Sequence, residues 1–443
     1  MITWSMFNLF IDDSDHLIIR NTLTTTTVRI TKKTKEEIDK SLSFIDCEYL
    51  DNLKDSTNQE NTIKILLDKK ILVDSLKNEK KEYKELFLKY RQEDKVLALY
   101  ITTTLDCQLD CPYCFEGNNK TKEYMTKEDA DKIKTWTTHY LNKNFCDKIR
   151  VIFYGGEPLL NKKLIRYILP KLKNIADEKK LSFETGILTN GEFFDLEIGK
   201  FLKKYNLNKI QITLDGPENC HNARRHRKKS KKGTFQKIIN NIFCLIENDI
   251  IEKIDIRINF DKQNISFIPE LFDLFVDNKI EKRISLSFGI ITPTIYINTK
   301  NYFEENTLGQ TINAEKYLWL CSEAKKRGFS IPKEFLSGPW CATRKIHSAV
   351  ILPRGNIVKC ISLVGRNDFI FGNINNCDNL EDEQFTNFEY ISNCLEQNCP
   401  LVPICGGGCR FEAYLSKGDF SKPHCQRKMV ETINKGLVLL NYK

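Results

Sequence analysis

Between residues 95 and 291 short apolar runs alternate with stretches of helical period. The runs at 96–105, 148–154, 181–188, 209–214, 254–260 and 284–291 are predicted strands. Amphipathic helices are predicted between them at 127–141, 162–178, 194–204, 235–247 and 267–275. Strand–helix units in series predict a parallel sheet, because parallel neighbours need long crossovers. Six such units curl into a partial barrel more naturally than into a closed eight-stranded one. The expected class is therefore α/β with a partial (β/α)6 barrel.

The flanks read differently. Residues 4–11, 16–20 and 24–30 are short and β-rich, 34–44 and 58–69 are predicted helices, 71–74 a short strand, and 78–94 a charged helix. After about residue 310 the alternation stops. The stretch from Cys399 to Cys409 is rich in Pro and Gly, and is expected to bury little apolar surface and to need metal to fold. Three domains are expected: residues 1–94, 95–310 and 311–443.

Polar motifs fall just past the C-terminal ends of the predicted strands. Cys107, Cys111 and Cys114 follow the first, Gly155-Gly156-Glu157-Pro158 the second, Thr189-Asn190-Gly191 the third and Asp215-Gly216-Pro217 the fourth; Asn259 and Asp261 close the fifth. In α/β barrels that rim is where active sites are built. Three thiolates on one loop, spaced by three and then two residues, can hold three irons of a cubane and leave the fourth open to chemistry. A structural zinc loop is the alternative, although zinc wants four ligands.

Composition narrows the setting. The chain has 443 residues, 41% hydrophobic and 29% charged, as in ordinary globular proteins. No apolar run is long enough to span a membrane, and the N-terminus lacks the basic start and cleavage site of a secretory signal. A cytoplasmic location is expected, and there sixteen cysteines argue for metal or redox chemistry rather than disulfides. Net charge is +9, with one dense basic run over Arg224, Arg225, His226, Arg227, Lys228, Lys229, Lys231 and Lys232. No aromatic interleaves it, so a solvated loop is expected rather than a nucleic-acid platform. Cys47, Cys146, Cys220 and Cys244 form no pattern and are expected as small core residues.

The three loop cysteines, Tyr154-Gly-Gly-Glu-Pro, Leu188-Thr-Asn-Gly and Ile212-Thr-Leu-Asp-Gly-Pro with His221, Arg224 and Arg225 together resemble one family, the radical S-adenosylmethionine (radical SAM) enzymes with a C-terminal SPASM domain. The resemblance covers about residues 95–430. It implies a 4Fe–4S cluster on Cys107, Cys111 and Cys114 whose open iron binds S-adenosylmethionine. It further implies that the Gly155-Gly156-Glu157 strand end holds the amino group, that Tyr113 contacts adenine, that Thr189 and Asn190 lie near the ribose, and that Arg225 or Arg257 pairs with the carboxylate.

The same resemblance implies two auxiliary 4Fe–4S clusters. Cys341, Cys360 and Cys409 would hold the first, its fourth ligand being Cys321, Cys377 or an open site. Cys399, Cys405, Cys425 and Cys394 would hold the second. Position 396, where the family has a cysteine, is Glu396, so either Cys394 ligates from a shifted register or Glu396 replaces the thiolate. A zinc-ribbon-like module is the alternative for this region.

Residues 1–94 resemble, by pattern alone, the winged-helix-like module that binds leader peptides in ribosomal peptide-modification pathways. The implied activity is oxidative cross-linking of a precursor peptide through a 5′-deoxyadenosyl radical, forming a thioether or C–C bond. The implied partners are that peptide and an electron donor such as flavodoxin or ferredoxin, with neither nucleic acid nor membrane. The alternatives are another SPASM oxidase, such as a sulfatase or quinone-cofactor maturase, and a non-catalytic iron–sulfur protein. Sulfatase-maturing relatives place an Asp after the cysteine corresponding to Cys360; Ile361 stands there instead.

Overall fold

The computed structural model describes residues 2–51, 57–117, 120–292, 300–336 and 341–442. Two units emerge. One comprises Met1–Glu93, Pro332–Arg344 and Asn387–Lys443; the other comprises Asp94–Ile331 and Lys345–Thr386.

The first unit begins with β1 (Thr3–Trp4), β2 (Asn8–Asp13), β3 (His16–Asn21) and β4 (Thr27–Thr31), and β5 (Leu72–Val73) follows its second long helix. β2, β3 and β4 form an antiparallel sheet with β2 and β4 at its margins, while β1 pairs with β5. One strand was expected over 4–11, but the chain breaks it at Ser5–Phe7. The cause lies 74 residues away: the Ser5 hydroxyl donates to Glu79, and the Met6 N–H donates to the other Glu79 oxygen at 2.9 Å. The expected helices stand at Lys32–Ser41, Asn58–Asp68 and Leu76–Gln92. The second opens on a capping box between Thr57 and Glu60, which satisfies two end N–H groups reciprocally. Ile38, Ile63 and Leu66 from these helices meet Ile2, Ile19 and Ile71 in one core.

The Cys399–Cys409 stretch corrects an expectation. Leu401, Val402 and Ile404 are at most 4% exposed, on or beside a short helix at Val402–Cys405. Leu401 and Ile404 pack with Leu9 of β2 and Val430, and Val402 packs with Phe7, Tyr83 and Phe87. The segment does bury apolar surface, against partners too distant in sequence for periodicity to reveal.

In the second unit the strands are β6 (Val96–Thr104), β7 (Lys148–Gly155), β8 (Ser182–Thr189), β9 (Leu207–Thr213), β10 (Ile254–Phe260) and β11 (Ile284–Ile290). They lie side by side in sequence order, all parallel. Helices at Lys127–Lys143, Lys162–Glu178, Leu196–Lys203, Phe235–Glu247 and Ile268–Asp277 make the crossovers, close to the expected bounds. β10 shows the division of faces: Ile254, Ile256, Ile258 and Phe260 are buried, and Asp255, Arg257 and Asn259 alternate with them on the opposite, polar face. No pairing closes β11 onto the far side among the described residues.

The sheet also runs on beyond the expected six strands. β12 (Ser348–Ile351) joins β6 in parallel, and β13 (Asn356–Val358) and β14 (Gly372–Asn373) continue antiparallel. Four buried residues are too few to register as a period, so this extension was not expected. Among the described residues no helix is long and apolar enough to cross a membrane.

Candidate active site

The cysteine loop leaves the end of β6 and is tied down by backbone. Thr104 is level with Gly155 of β7, and beyond it the Gly156 N–H donates to Thr104 O at 3.1 Å and the Glu157 N–H to Asp106 O at 2.8 Å. This approach requires both glycines. A Cβ at Gly155, where φ is +134°, would lie 2.2 Å from Thr104 O, and one at Gly156 would lie 2.3 Å from Asp106 O. Gly156→Ala is therefore expected to separate the two loops and destabilise the unit by about 1–3 kcal/mol, as overpacking does. Chemical denaturation together with bound iron checks this; a variant with unchanged stability and iron would show that the close approach is dispensable.

Glu157 is fully buried and braces the next loop. It accepts from Thr189 Oγ1 at 2.7 Å, the Asn190 N–H at 2.8 Å and the Leu159 N–H at 2.9 Å. Burial pushes its carboxyl up to about 7 despite these donors. Asn190 in turn lies 3.9 Å from Cys107 Sγ and accepts from the Gln108 side chain at 3.3 Å. Gln108 also donates to Glu192 at 2.8 Å, which Arg227 pairs from the far side. The expected strand-end motifs are thus one hydrogen-bonded assembly.

Burial pushes the Cys107 thiol up to about 12 and raises Cys111, so a bare thiolate is disfavoured at either and a metal's charge would be needed to hold one. Cys107 feels Cys111, Cys111 feels Cys114, and all three act on Lys120: burial alone would lower that ammonium's pKa, but Cys114, Cys111, Cys107 and Glu116 raise it overall. Among the described residues no three His, Cys, Asp or Glu side chains converge as around a single ion. A cubane offers its irons at separate corners, so thiols facing one stand apart.

Beside this loop lies a network that the motifs announce only in part. Tyr113 donates its hydroxyl to Asp215 and accepts from Arg225 at 2.7 Å, and the Arg224 guanidinium lies 4.9 Å from the Tyr113 ring centre. Arg224 also pairs with Asp261 at 2.8 and 2.9 Å and with Asp215 at 3.4 Å. Arg224 and Arg225 are buried, which corrects the expectation of a solvated basic loop: two aspartates at strand ends draw Arg224 in, Arg225 is held by Tyr113, and Arg227 and the later lysines reach solvent. Arg225 Nε and Arg224 Nη2 are buried with no acceptor among the described residues. Arg225 also feels Cys111 directly. Orphan donors on guanidinium groups beside three thiols, with a glycine cradle opposite, fit an anionic sulfur-ligated group and a carboxylate-bearing ligand.

Arg257 stands on β10, where its Nε donates to Asn259 at 3.2 Å, and it feels Asp215 and Tyr113 of the same network. Asp215 and Asp261 were expected at the rim from their strand-end positions, without a role; Tyr302 was not among the expected residues.

In the first unit Cys394, Cys399, Cys405 and Cys425 gather: Cys394 feels Cys399 and Cys425, and Cys405 feels Cys394 and Cys399. Glu396 is mostly exposed and pairs with Lys80 at 3.4 Å, outside that group. Cys409 senses Cys341. Cys360 and Cys377 belong to the second unit, where Cys377 Sγ donates to Asn379 O at 3.0 Å. Cys321 is fully buried in the helix Gln310–Lys326. Of the four patternless cysteines only Cys146 is buried; Cys47, Cys220 and Cys244 are intermediate, which corrects the expectation of core residues for those three.

Residues 101–275 match the radical SAM superfamily model. The chain is 25% identical over 352 residues to the radical SAM cyclopropyl synthase TigE of Paramaledivibacter caminithermalis, covering 71% of this chain and 68% of that one. Its fold is similar to that of anSMEcpe, solved with AdoMet and the Kp18Cys peptide (TM-score 0.60, 17% identity, 78% of this chain and 99% of the other). It is also similar to Streptococcus suis SuiB, solved bound to the precursor peptide SuiA (TM-score 0.52, 17% identity, 97% of this chain and 100% of the other). Motifs, rim geometry and the family match agree on one stretch of the chain: residues 101–275 carry a radical SAM domain.

Proposed function

We propose that the chain is a peptide maturase that forms an oxidative cross-link, a thioether or C–C bond, in a ribosomally made precursor. The observation that carries this reading is the extent of the SuiB likeness. It runs over 97% of the chain, whereas the anSMEcpe likeness stops at 78%. SuiB was solved with a precursor peptide, and TigE is named a cyclopropyl synthase. A cyclopropane is closed by C–C bond formation, one of the two bond classes proposed.

When bound, the reduced cluster and S-adenosylmethionine supply a 5′-deoxyadenosyl radical able to take hydrogen from a peptide C–H. Cys107, Cys111 and Cys114 hold the cluster, and the Gly155-Gly156-Glu157 strand end receives the cofactor's amino group. Arg225 takes its carboxylate, Tyr113 meets adenine, and Thr189 and Asn190 flank the ribose. Glu157 acts by holding the Thr189–Asn190 loop in place. The C-terminal cysteines expected as ligands would hold auxiliary clusters, which would offer an acceptor for the electron released on substrate oxidation, and a flavodoxin or ferredoxin would supply the reducing electron.

The leader adds as a strand beside β4, at the open margin of its sheet. A cleft of about 620 Å³ lined by Lys64, Lys70, Val73, Glu79 and Glu82 lies in the same module and offers paired charges to a peptide.

The test is anaerobic co-expression with a candidate precursor from a neighbouring small reading frame. The product is expected to be two hydrogens lighter per bond, with fragmentation locating the link. An unchanged mass with deuterium gained in heavy water would mean epimerisation and remove the cross-link. Hydrogen exchange at Thr27–Thr31 is expected to slow when the precursor is added; unchanged exchange there would remove the β4 docking. Deleting the module is a poorer test, because Phe7 and Leu9 share cores with the cysteine-rich segment.

A further inference from the structure

Arg410 is a buried cation surrounded by backbone. It is 2% exposed, and its guanidinium donates to Phe420 O and Lys422 O at 3.0 Å, to Gly407 O at 2.5 Å and to Gly408 O at 3.1 Å. It stacks 3.7 Å from the centre of the Tyr390 ring. A second buried guanidinium, Arg344, donates to Gly406 O at 2.6 Å and Gly408 O at 2.9 Å, and lies 5.5 Å from the same ring. Gly406, Gly407 and Gly408 all have positive φ, which turns their carbonyls onto the two cations.

Carbonyl dipoles and a π face solvate a guanidinium but do not neutralise it. A buried charge without a close counter-ion is costly, and among the described residues no Asp or Glu is in ion-pair contact with Arg410; the acid that feels it, Asp419, is itself only half-buried. What does lie close is sulfur: Gly407 and Gly408, whose carbonyls Arg410 holds, stand between Cys405 and Cys409, Cys394 Sγ lies 3.9 Å from O of Tyr390, the residue whose ring Arg410 stacks on, and Arg410 feels both Cys409 and Cys405. A cubane on four thiolates is an anion, and each electron it takes adds to that charge.

We propose that Arg410, seconded by Arg344, is the counter-charge of an auxiliary iron–sulfur cluster on Cys394, Cys399, Cys405 and Cys425, and that it raises the cluster's reduction potential. The inference rests on the auxiliary-cluster reading above. Arg410 is a positioning residue: it orders the triple-glycine loop and favours the electron-loaded state. In a water-poor setting a nearby cation acts strongly on the reduced form, so its removal moves the potential down.

The experiment is an EPR-monitored titration of full-length, reconstituted protein with dithionite and mediators, following the signal that S-adenosylmethionine leaves unchanged. Arg410→Gln is expected to keep its iron and shift that signal to more negative potential, while Arg410→Lys stays near wild type. Full iron with an unmoved potential in Arg410→Gln overturns the proposal. If Arg410→Gln loses the auxiliary iron, Arg410→Lys decides: iron retained at the wild-type potential supports the charge, and iron lost there too leaves only a structural fork and overturns it. Zinc, or iron for the radical SAM cluster alone, in the wild-type protein would sink the auxiliary-cluster reading itself, a result distinct from an unmoved potential.

Discussion

Replacing Cys107, Cys111 and Cys114 together by alanine is expected to remove about four irons, one cubane's worth, and all reductive cleavage of S-adenosylmethionine. The loop should survive the change, because its course is set by backbone rather than by sulfur. Leu109 bridges Arg227, the Asp110 N–H donates to His226 O at 3.0 Å and the Lys228 N–H to Gln108 O at 2.8 Å. Leu109 is itself fully buried. The variant should therefore match wild type in circular dichroism and denaturation midpoint while losing the cluster's visible absorption. Cys146→Ala is the control and should keep full iron, since Cys146 lies in no cysteine group. Full iron and full cleavage in the triple variant would remove the radical assignment; loss of the fold along with the iron would show that metal, not backbone, shapes the loop.

Much of the sheet was legible because its order is local. Strands β6 to β11 each carry enough apolar residues to register, and β10 and the helix Phe235–Glu247 stand at the expected bounds. The rim motifs were legible because each sits at a strand end. What was hidden is set by distant partners. Ser5 and Met6 leave their strand for Glu79, Leu401 and Ile404 find Leu9, and β12 joins β6 across more than 240 residues. The basic run misled for a related reason. Lysines and arginines in series describe a solvated face unless acidic groups wait inside, and Asp215 and Asp261 lie at the ends of two different strands, 46 residues apart in sequence. The Tyr113 hydroxyl is fixed by Asp215 and Arg225, neighbours placed by the sheet and its following helix rather than by the cysteine loop that carries it.

Arg224→Met is expected to be the most damaging single substitution in this unit. Arg224 is 3% exposed at its side chain, and Asp215 and Asp261 are both fully buried. Removing the cation leaves Asp261 with only hydroxyl and backbone donors, Tyr302 and the Gln263 N–H at 2.9 Å. Breaking a buried pair from one side costs about 3–5 kcal/mol, because the remaining charge is stranded. The Tyr113 ring also loses the guanidinium beside it, so S-adenosylmethionine affinity should fall along with stability. Methionine fills similar volume, so a cavity contributes little to the loss. The double variant Arg224→Met/Asp261→Leu discriminates the cause. If the stranded carboxylate dominates, removing it should restore more than half of the lost stability in urea, since an apolar pair of like volume is often no worse than a buried ion pair. Losses that simply add would place the cost in packing instead. Affinity should not recover in the double variant, because Tyr113 still lacks its cation; recovery of both would mean that the network serves the fold alone.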